Sequence, residues 1–385
     1  MTMDGFATIA ISGGGSKGPY ACGVLQGLDK FVSERAPGLR FFYAGTSVGA
    51  LNATLAAQGD LQELSTLYGR LTTKDVLGVK DPKVSGLRLW RISGRNPFHY
   101  FDSDNLRAVI SKYASFEKLE NAHLSICASN YLTGALETFY SSSLIDKFLE
   151  FEKTLEAKNR RLNNYHRIAN QAELVEALLA SASIPFFFPP VRIAGKLYVD
   201  GGVGNNTPLR QVAYFSRFLS KMNFGETQLS VCVVNDPDRF TIDDTSRSTD
   251  MFSIINRSVD IFQNELVSDS MIAWHRINKE VEHNNGKIAE LEKFTDESGL
   301  PPDMIRAFKE KLQMVLGKTT AVTNRKSIPM LFIMPSTPLV ENVLQFEPEQ
   351  SRLLRRRGVA DCLAALANSG QIEQLDQASW VEQIA

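Results

Sequence analysis

Apolar and polar positions divide the first 240 residues into short strand-like runs and longer helix-like stretches that alternate along the chain. Apolar runs rich in β-branched and aromatic residues predict buried strands at 7–11, 41–44, 124–128, 137–140, 196–199 and 229–235. Apolar residues at helical spacing predict helices at 19–28, 50–57, 61–77, 103–113 and 171–181. The first part of the chain is therefore expected to fold as a globular region that mixes both kinds of element.

The pattern changes in the C-terminal third of the chain. Helical spacing predicts helices at 251–274, 277–294, 302–316 and 352–363. The apolar run at 329–335 predicts one more strand, which could complete the sheet of the first region. We therefore expect a first domain at 5–240 and a mostly helical region at 241–385, which could pack on that domain and complete it.

Two segments interrupt the alternation. The segment 144–165 is charged and predicts a helix before the helix at 171–181. The segment 78–104 is irregular and holds several aromatic residues, which are Trp90, Phe98, Tyr100 and Phe101. Such aromatic residues could line an acyl groove or act as a lid, and they could equally fill their own local core.

A glycine-rich turn follows the first predicted strand. It contains Gly13, Gly14, Gly15, Ser16, Lys17 and Gly18, and a predicted helix begins directly after it. Glycines allow a sharp turn and let backbone N–H groups approach a ligand closely. A helix N-terminus also favours anions. The N–H groups of Gly13, Gly14, Gly15 and Ser16 are therefore candidates to hold a tetrahedral oxyanion, with Lys17 and Gly18 completing the motif.

A second strand–turn–helix unit carries a serine. The turn reads Gly45, Thr46, Ser47, Val48, Gly49, between the strand at 41–44 and the helix at 50–57. The spacing G-x-S-x-G is that of a nucleophile elbow, in which a tight turn projects the serine hydroxyl outward. Gly45 and Gly49 are small where strand and helix pack closest. Ser47 is the candidate nucleophile, because the pentapeptide stands in the correct local context.

The third motif supplies a proton acceptor. Asp200 ends the strand at 196–199 and leads into Gly201 and Gly202, whereas none of the five histidines lies in a recognisable motif. A carboxylate is a weak base in water, and burial beside the serine would raise its pKa and improve it. Taken alone, Asp-Gly-Gly more often only starts a turn. The two other motifs favour the role of a base.

Together these motifs resemble the patatin-like phospholipases. That family has a glycine-rich oxyanion loop, a G-x-S-x-G elbow and an Asp-Gly-Ala/Gly motif, in the order found in this chain. The segment Ala180–Pro185, followed by Phe188 and two prolines, resembles the block that precedes the family's aspartate. The resemblance covers about residues 5–235. Lys17 stands where arginine is commoner in the family, and Gly202 where alanine sometimes stands.

The resemblance implies the fold and the chemistry. It implies a three-layer α/β/α sandwich with a mainly parallel central sheet. It implies a Ser47–Asp200 dyad that works without histidine, metal or organic cofactor. The expected function is a phospholipase A or lysophospholipase type of serine lipid-acyl hydrolase, which cleaves carboxylic esters through an acyl-enzyme at a membrane surface or micelle.

Two other functions remain open. The chain could be a signal- or partner-activated lipase effector whose C-terminal region controls the site. It could also be a nucleotide-binding protein, because residues 13–18 formally satisfy the dinucleotide fingerprint G-x-G-x-x-G. That reading needs an acidic residue at the end of the second strand, where the chain has residues 44–47 without an acid. A phosphate-binding P-loop needs Gly-Lys-Ser/Thr, and the order in this chain is Ser16, Lys17, Gly18.

Composition is that of an ordinary soluble protein with enough apolar residues for a large core. The 385 residues are 43% hydrophobic and 22% charged, with a net charge of −1, which gives no reason to expect a nucleic acid partner. The cysteines show no pairing pattern and are expected to be reduced, which favours a cytoplasmic location. No signal peptide or spanning segment is apparent in the sequence, so membrane contact is expected to be peripheral at most.

Overall fold

The computed structural model describes most of the chain in two compact units. The described residues are 5–80, 99–144, 146–148, 150–151, 164–236, 251–297, 299, 301–319, 326–340 and 342–369. One unit comprises Met1–Ser268 and Met330–Ala385, and the other comprises Asp269–Pro329. The larger unit contains all the residues that the sequence motifs single out.

The larger unit is built on a sheet of nine described strands. They are β1 (Gly5–Ile11), β2 (Arg40–Thr46), β3 (His123–Asn130), β4 (Leu136–Ser142), β5 (Asn164–Arg167), β6 (Val191–Ile193), β7 (Lys196–Asp200), β8 (Glu226–Val233) and β9 (Leu331–Ile333). The order is β5-β4-β3-β2-β1-β8-β9, with β7 paired to the end of β3 and β6 paired to β7. Residues 164–165 lie in β5, so the helix predicted for 144–165 is wrong there, because pairing with β4 takes these residues into the sheet.

Helices cover both faces of this sheet. The described helices are α1 (Gly18–Arg35), α2 (Val48–Ala57), α3 (Leu61–Tyr68), α4 (Thr73–Leu77), α5 (Asp104–Tyr113), α6 (Gln171–Ser181), α7 (Leu209–Met222), α8 (Met251–Glu297), α9 (Pro302–Thr319) and α10 (Pro348–Asn368). Successive side chains of a strand point to opposite faces. Phe6 lies two residues before Thr8, the partner of Phe42 in the sheet, so Phe6 and Phe42 point to the same face. Both rings contact Phe215 of α7, which covers that face. The predicted α/β class with a mainly parallel sheet is confirmed.

Strand direction determines where the site lies. Strands β1, β2, β3 and β8 are parallel, so their carboxyl ends share one edge of the sheet. The glycine-rich turn follows β1, and Ser47 follows β2, at that edge. Strand β7 runs antiparallel to β3 and places Asp200 opposite Ala128, near the end of β3. The three motifs therefore meet at the carboxyl edge, where open α/β sheets bind their ligands.

The C-terminal part of the chain returns to the larger unit. Strand β9 pairs with β8, which confirms the strand predicted at 329–335 and its place in the sheet. Helix α10 packs along α1, and the Tyr20 hydroxyl donates a hydrogen bond of 2.9 Å to Asp361. The buried face of α10 includes Cys362 and Leu366.

The smaller unit consists of the second part of α8, helix α9 and the segment that ends at Pro329. Asn278 binds the backbone of Ile328 twice, donating at 2.9 Å and accepting at 3.0 Å. Lys309 pairs with Asp296 at 2.9 Å. Among the described residues of the whole chain, we find no helix of sufficient length and hydrophobicity to cross a bilayer.

Candidate active site

Ser47 occupies a strained turn between β2 and α2. Its backbone has φ 54° and ψ −129°, which a non-glycine residue adopts at a cost of about 1–3 kcal/mol. The Ser47 N–H donates to Ser181 Oγ at 2.9 Å, and that hydroxyl donates to the Cys127 carbonyl at 2.6 Å. Helix α6 and strand β3 thus hold the turn. The Ser47 side chain stands at the N-terminus of α2, where partial positive charge favours an anion.

The glycines on either side of Ser47 are required by packing. A Cβ on Gly45 would lie 2.3 Å from the Gly49 carbonyl oxygen, and a Cβ on Gly49 would lie 2.4 Å from the Ile11 carbonyl oxygen. Both distances are shorter than any side chain tolerates. The close approach of the two strand ends that positions Ser47 therefore depends on these two residues.

Asp200 lies beside Ser47 and is fully buried. Its Oδ1 accepts a hydrogen bond of 2.6 Å from the Gly202 N–H, and the Ser47 side chain is near enough to lower the pKa of the carboxyl group. Its Oδ2 is buried and accepts no hydrogen bond of regular geometry from the described residues. Gly201 packs against the Cys127 carbonyl, where a Cβ would lie at 2.4 Å.

Burial sets the protonation behaviour of Asp200. Loss of hydration raises its pKa from 3.8 to about 7, while the Ser47 side chain and the Gly202 N–H have a smaller effect that lowers the pKa. A carboxylate with a pKa near neutrality is a much better proton acceptor than one in water. A general base for Ser47 would need such a raised pKa.

The glycine-rich turn offers two free donors. The Gly13 N–H donates to the Asn206 carbonyl at 3.2 Å, and the Ser16 N–H donates to the Val343 carbonyl at 2.7 Å. The N–H groups of Gly14 and Gly15 have no acceptor among the described residues. Of the four predicted oxyanion residues, Gly14 and Gly15 are therefore the ones whose N–H groups are available to a ligand.

Two asparagine side chains donate hydrogen bonds to backbone carbonyl groups at the two ends of this turn. Asn235 donates to the Ser12 carbonyl at 2.9 Å and holds the start of the turn against the end of β8. Asn52 of α2 donates to the Gly18 carbonyl at 2.9 Å and accepts a hydrogen bond of 2.6 Å from the Tyr68 hydroxyl. The backbone of the turn is thus fixed on both sides, as a preorganised donor site requires.

Lys17 is buried in an ion-pair network beneath the turn. Its ammonium group contacts Asp236, which follows β8, and Asp260 of α8 at 2.8 Å, and Arg257 pairs with Asp260 from the other side. Burial lowers the Lys17 pKa, but the two carboxylates outweigh that effect and raise it. For the carboxyl group of Asp236, burial acts in the other direction and raises the pKa to about 6. The network connects the glycine-rich turn to the first turns of α8.

An apolar pocket opens at Ser47. It encloses about 790 Å³ of space, its opening to solvent included. Gly15 and Ser47 belong to its lining, and the rest of the lining is aliphatic or aromatic apart from the hydroxyl groups of its tyrosines. The lining residues beyond Val48 are Leu51, Leu55, Leu64, Leu67, Tyr68, Leu71, Val76, Leu106, Val109, Ile110, Tyr113, Ala114, Ala182, Ile184, Phe188, Leu344 and Phe346. Such a pocket suits a hydrocarbon chain.

Several residues of the site were not singled out from the sequence. Asp236 and Asp260 stand in no motif of the sequence. Ser181 lies in the block that resembles the family, but no role followed from that. Val343 and Phe346 gave no signal, because their contribution depends on a return of the chain to the turn at residues 13–18. Their contacts could be found only in the folded chain.

The aromatic residues predicted near the site are partly described. Trp90 and Phe98 lie outside the described residues. Phe101 is buried and packs against Phe188, with ring centroids 6.1 Å apart, so this ring belongs to the core beside the pocket. The described part of the chain contains no group of three His, Cys, Asp or Glu side chains arranged to hold a metal ion.

A strained serine at a strand–helix turn, beside a buried carboxylate and free N–H donors, is the geometry expected of a serine hydrolase. The family model for patatin-like phospholipases matches residues 9–213, just over half of the chain. The chain therefore belongs to the patatin-like phospholipase family, as the sequence motifs predicted. This membership supports lipid-acyl hydrolase activity.

Known relatives are distant. An uncharacterised protein of Acanthamoeba polyphaga mimivirus is 25% identical over 253 residues, which cover 57% of this chain and 67% of that protein. A cGAMP-activated phospholipase of Pseudomonas aeruginosa is 25% identical over 206 residues, covering 53% of this chain and 54% of that protein. The chain thus spans about half the length of this second relative. The crystal structure of VipD from Legionella pneumophila matches at a TM-score of 0.36 and 14% identity, over 95% of this chain and 67% of that one.

Proposed function

We propose that this protein is a serine lipid-acyl hydrolase of the phospholipase A or lysophospholipase type. The observation that carries the proposal is the position of Ser47 between a buried carboxylate with a raised pKa and an apolar pocket. The pocket accepts an acyl chain, and the dyad acts on the ester at its end. Family membership and the phospholipase relative support the same substrate class.

The mechanism follows from the arrangement of groups. Asp200 takes the proton of the Ser47 hydroxyl as its oxygen attacks the ester carbonyl carbon, and the N–H groups of Gly14 and Gly15 stabilise the oxyanion. The intermediate collapses, the alcohol or lysolipid leaves with the proton, and an acyl-Ser47 remains. Water then attacks this ester with Asp200 again as the base, which releases the fatty acid and restores Ser47. No group outside this chain takes part except water.

A labelling experiment tests the nucleophile. Intact protein is treated with a fluorophosphonate probe, and the adduct is located by mass spectrometry. We expect one adduct on Ser47 that is absent in Ser47→Ala. Ser216→Ala is the matched control, because it removes another buried serine hydroxyl, on α7, and should be labelled like the wild type. An adduct elsewhere, or unchanged labelling of Ser47→Ala, would disprove the assignment.

A turnover experiment tests the base and the substrate class. Fatty acid release from phospholipid and lysophospholipid micelles is measured for the wild type and for Asp200→Asn. We expect the variant to lose at least about 10²-fold in rate, as the loss of a general base should produce. A rate above about a tenth of the wild type would contradict the dyad. Hydrolysis of water-soluble esters without any hydrolysis of lipids would contradict the lipid assignment.

A second candidate function has a specific observation in its favour. C-terminal residues hold the oxyanion turn, because the Val343 and Asn342 carbonyls accept from the N–H and the Oγ of Ser16, and Asp260 binds Lys17. A ligand that shifted these residues would change the turn. The relative named a cGAMP-activated phospholipase makes a cyclic dinucleotide a reasonable activator to test.

One assay distinguishes a constitutive hydrolase from a ligand-activated hydrolase. Lipid hydrolysis by the purified protein is measured without any addition and with cGAMP. A constitutive enzyme gives the same rate in both. A ligand-activated enzyme is nearly silent alone and rises at least about tenfold, which corresponds to a coupling free energy of about 1.4 kcal/mol. Silence under both conditions, with Ser47 still labelled, would indicate another activator.

A further inference from the structure

Four large apolar side chains are exposed in the segments that directly follow β3, α6 and β7. The exposed fractions are 62% for Tyr131, 71% for Leu132, 62% for Phe186 and 39% for Val203. We name these four residues the apolar rim. Single exposed apolar residues need no explanation, but several at one edge of a molecule mark a surface of interaction.

The rim residues share the edge of the sheet that carries the site. Tyr131 and Leu132 directly follow β3, which is parallel to β2 and therefore ends at the same edge as the strand before Ser47. Val203 lies three residues after Asp200, and the next residue, Gly204, lies against Ser129 of β3. Phe186 lies between two residues that line the pocket, Ile184 and Phe188.

The backbone of Phe186 is unusual for an aromatic residue. Pro185 and Phe186 form the corner of a turn that the Phe187 N–H closes with a hydrogen bond of 3.2 Å to the Ile184 carbonyl. Phe186 has φ 70°, a conformation that favours glycine at this position of a turn. A bulky residue there is strained. Since most of the ring is in solvent, packing inside the protein does not compensate for the strain.

Hydrogen bonds fix the backbone of the loop that carries Tyr131 and Leu132. Asn130 Oδ1 accepts from the N–H groups of Leu132 at 3.0 Å and Thr133 at 3.1 Å, and Asn130 Nδ2 donates to Glu137 at 2.8 Å. The Tyr131 N–H donates to the Leu197 carbonyl at 2.8 Å. The loop therefore presents its two apolar side chains in a fixed position.

The charges around the rim indicate the chemistry of its partner. The three segments that form this surface, 131–135, 184–196 and 201–208, contain no acidic residue. They contain two exposed basic residues, Arg192 and Lys196, on the hairpin that joins β6 and β7. Lys196 pairs with the buried Glu137 of β4 at 3.6 Å. Among the neighbouring segments, the one that hydrogen-bonds Phe186 carries an exposed acid, Asp102. An apolar surface with a basic edge matches a membrane surface that contains anionic lipid.

We propose that the apolar rim inserts into a lipid surface, with the exposed Arg192 on the anionic head groups, so that the pocket opens directly onto the bilayer. The proposal rests on the lipid-hydrolase function and adds how the enzyme meets its substrate. An acyl chain can then pass from the bilayer into the pocket along Phe186 without crossing water. Binding should strengthen with the fraction of anionic lipid, by about fivefold for each basic residue that reaches the surface.

The test separates binding from catalysis. Co-sedimentation measures binding of the full chain to vesicles of diether phosphatidylcholine with and without diether phosphatidylglycerol, which carry no carboxylic ester. The variant combines Leu132→Gln with Phe186→Gly, and the matched control is Met222→Gln, an exposed apolar residue at the end of α7. Hydrolysis of a short-chain, water-soluble ester is measured in parallel, and so is thermal stability.

We expect the rim variant to lose vesicle binding while it keeps its activity on the soluble ester. The rim variant should bind vesicles at least about tenfold more weakly, because two large apolar side chains no longer leave water. It should hydrolyse the soluble ester like the wild type. Phe186→Gly alone should be at least as stable as the wild type, because glycine relieves the positive φ. The control should bind vesicles normally.

Other results would overturn the inference. Normal vesicle binding by the rim variant would exclude insertion of the rim. A parallel loss of soluble-ester hydrolysis would place these residues in the catalytic site instead. A wild-type dimer in solution that the rim variant dissociates would identify the rim as an interface between two copies of this chain. Vesicle binding by a wild type that hydrolyses no ester would refute the proposed function and leave the rim proposal standing.

Discussion

Replacement of Asp200 by asparagine should stabilise the protein and inactivate it at the same time. Asp200 is fully buried and its pKa is raised from 3.8 to about 7. The folded state therefore binds this proton more tightly than the unfolded state does. Well below pH 3.8 the carboxyl is neutral in both states and does not change the free energy of unfolding. As the pH rises, the unfolded carboxyl ionises first, so this group lowers the free energy of unfolding until the folded carboxyl has also ionised, above pH 7.

The size of the effect follows from the same two pKa values. One pKa step corresponds to about 1.4 kcal/mol, so the buried carboxylate lowers the stability by about 2 kcal/mol at pH 5 and by about 4 kcal/mol at pH 8. Asparagine keeps the shape and the acceptor for Gly202 but never ionises. The stability difference between Asp200→Asn and the wild type should therefore grow by about 2–3 kcal/mol between these two pH values.

Urea denaturation at pH 5, 6, 7 and 8 measures this difference. All other titrating groups are shared by the two proteins and cancel. Asp102→Asn is the matched control for the substitution itself, because Asp102 is an exposed carboxylate outside the candidate site. A difference that stays constant between pH 5 and 8, or one that falls, would refute the claim that Asp200 is buried with a raised pKa. Ester hydrolysis on the same samples gives the loss of activity.

Three further outcomes are expected. The kcat/KM of ester hydrolysis should rise with pH about a midpoint near 7, because only ionised Asp200 accepts a proton, and a flat profile from pH 5 to 9 would contradict this. Lys17→Met should lower the free energy of unfolding by about 3–5 kcal/mol, measured in urea, because two buried carboxylates lose their cation; a change below about 1 kcal/mol would indicate a solvated network. Val109→Trp should narrow the pocket and reduce kcat/KM for long acyl esters more than for short ones, and an equal effect on all chain lengths would exclude the pocket as the acyl site.

Local signals made the core of the site predictable. Strand, glycine turn and helix follow one another within a few residues at both Gly13–Gly18 and Gly45–Gly49, so neighbouring positions carry the information. We predicted a single helical stretch at 61–77, whereas the structure has two helices, α3 and α4. The signal for the break is local, because Thr72 and Asp75 form a capping box at the start of α4. Helix α8 was predicted as two helices, yet no glycine or proline separates them, and it continues from Met251 to Glu297.

Distant contacts made the remainder unpredictable. Lys17 meets Asp236 and Asp260 across 219 and 243 residues of chain, and nothing in the sequence around either acid indicates that pairing. The availability of Gly14 and Gly15 as donors has the same origin. The Asn206 and Val343 carbonyls accept from the N–H groups of Gly13 and Ser16, so only the N–H groups between them stay available. Only the folded chain shows which N–H groups are taken.

The contacts of residues 342–346 have a consequence for the order in which the site forms. The Val343 carbonyl fixes the turn after β1, Leu344 and Phe346 close the pocket, and the backbone of Phe346 binds Thr73. The proposed nucleophile and base, by contrast, belong to the first 200 residues. During synthesis these two residues are therefore made well before the segment that completes their surroundings. We expect a nascent protein to remain inactive toward lipid until residues 342–346 have docked.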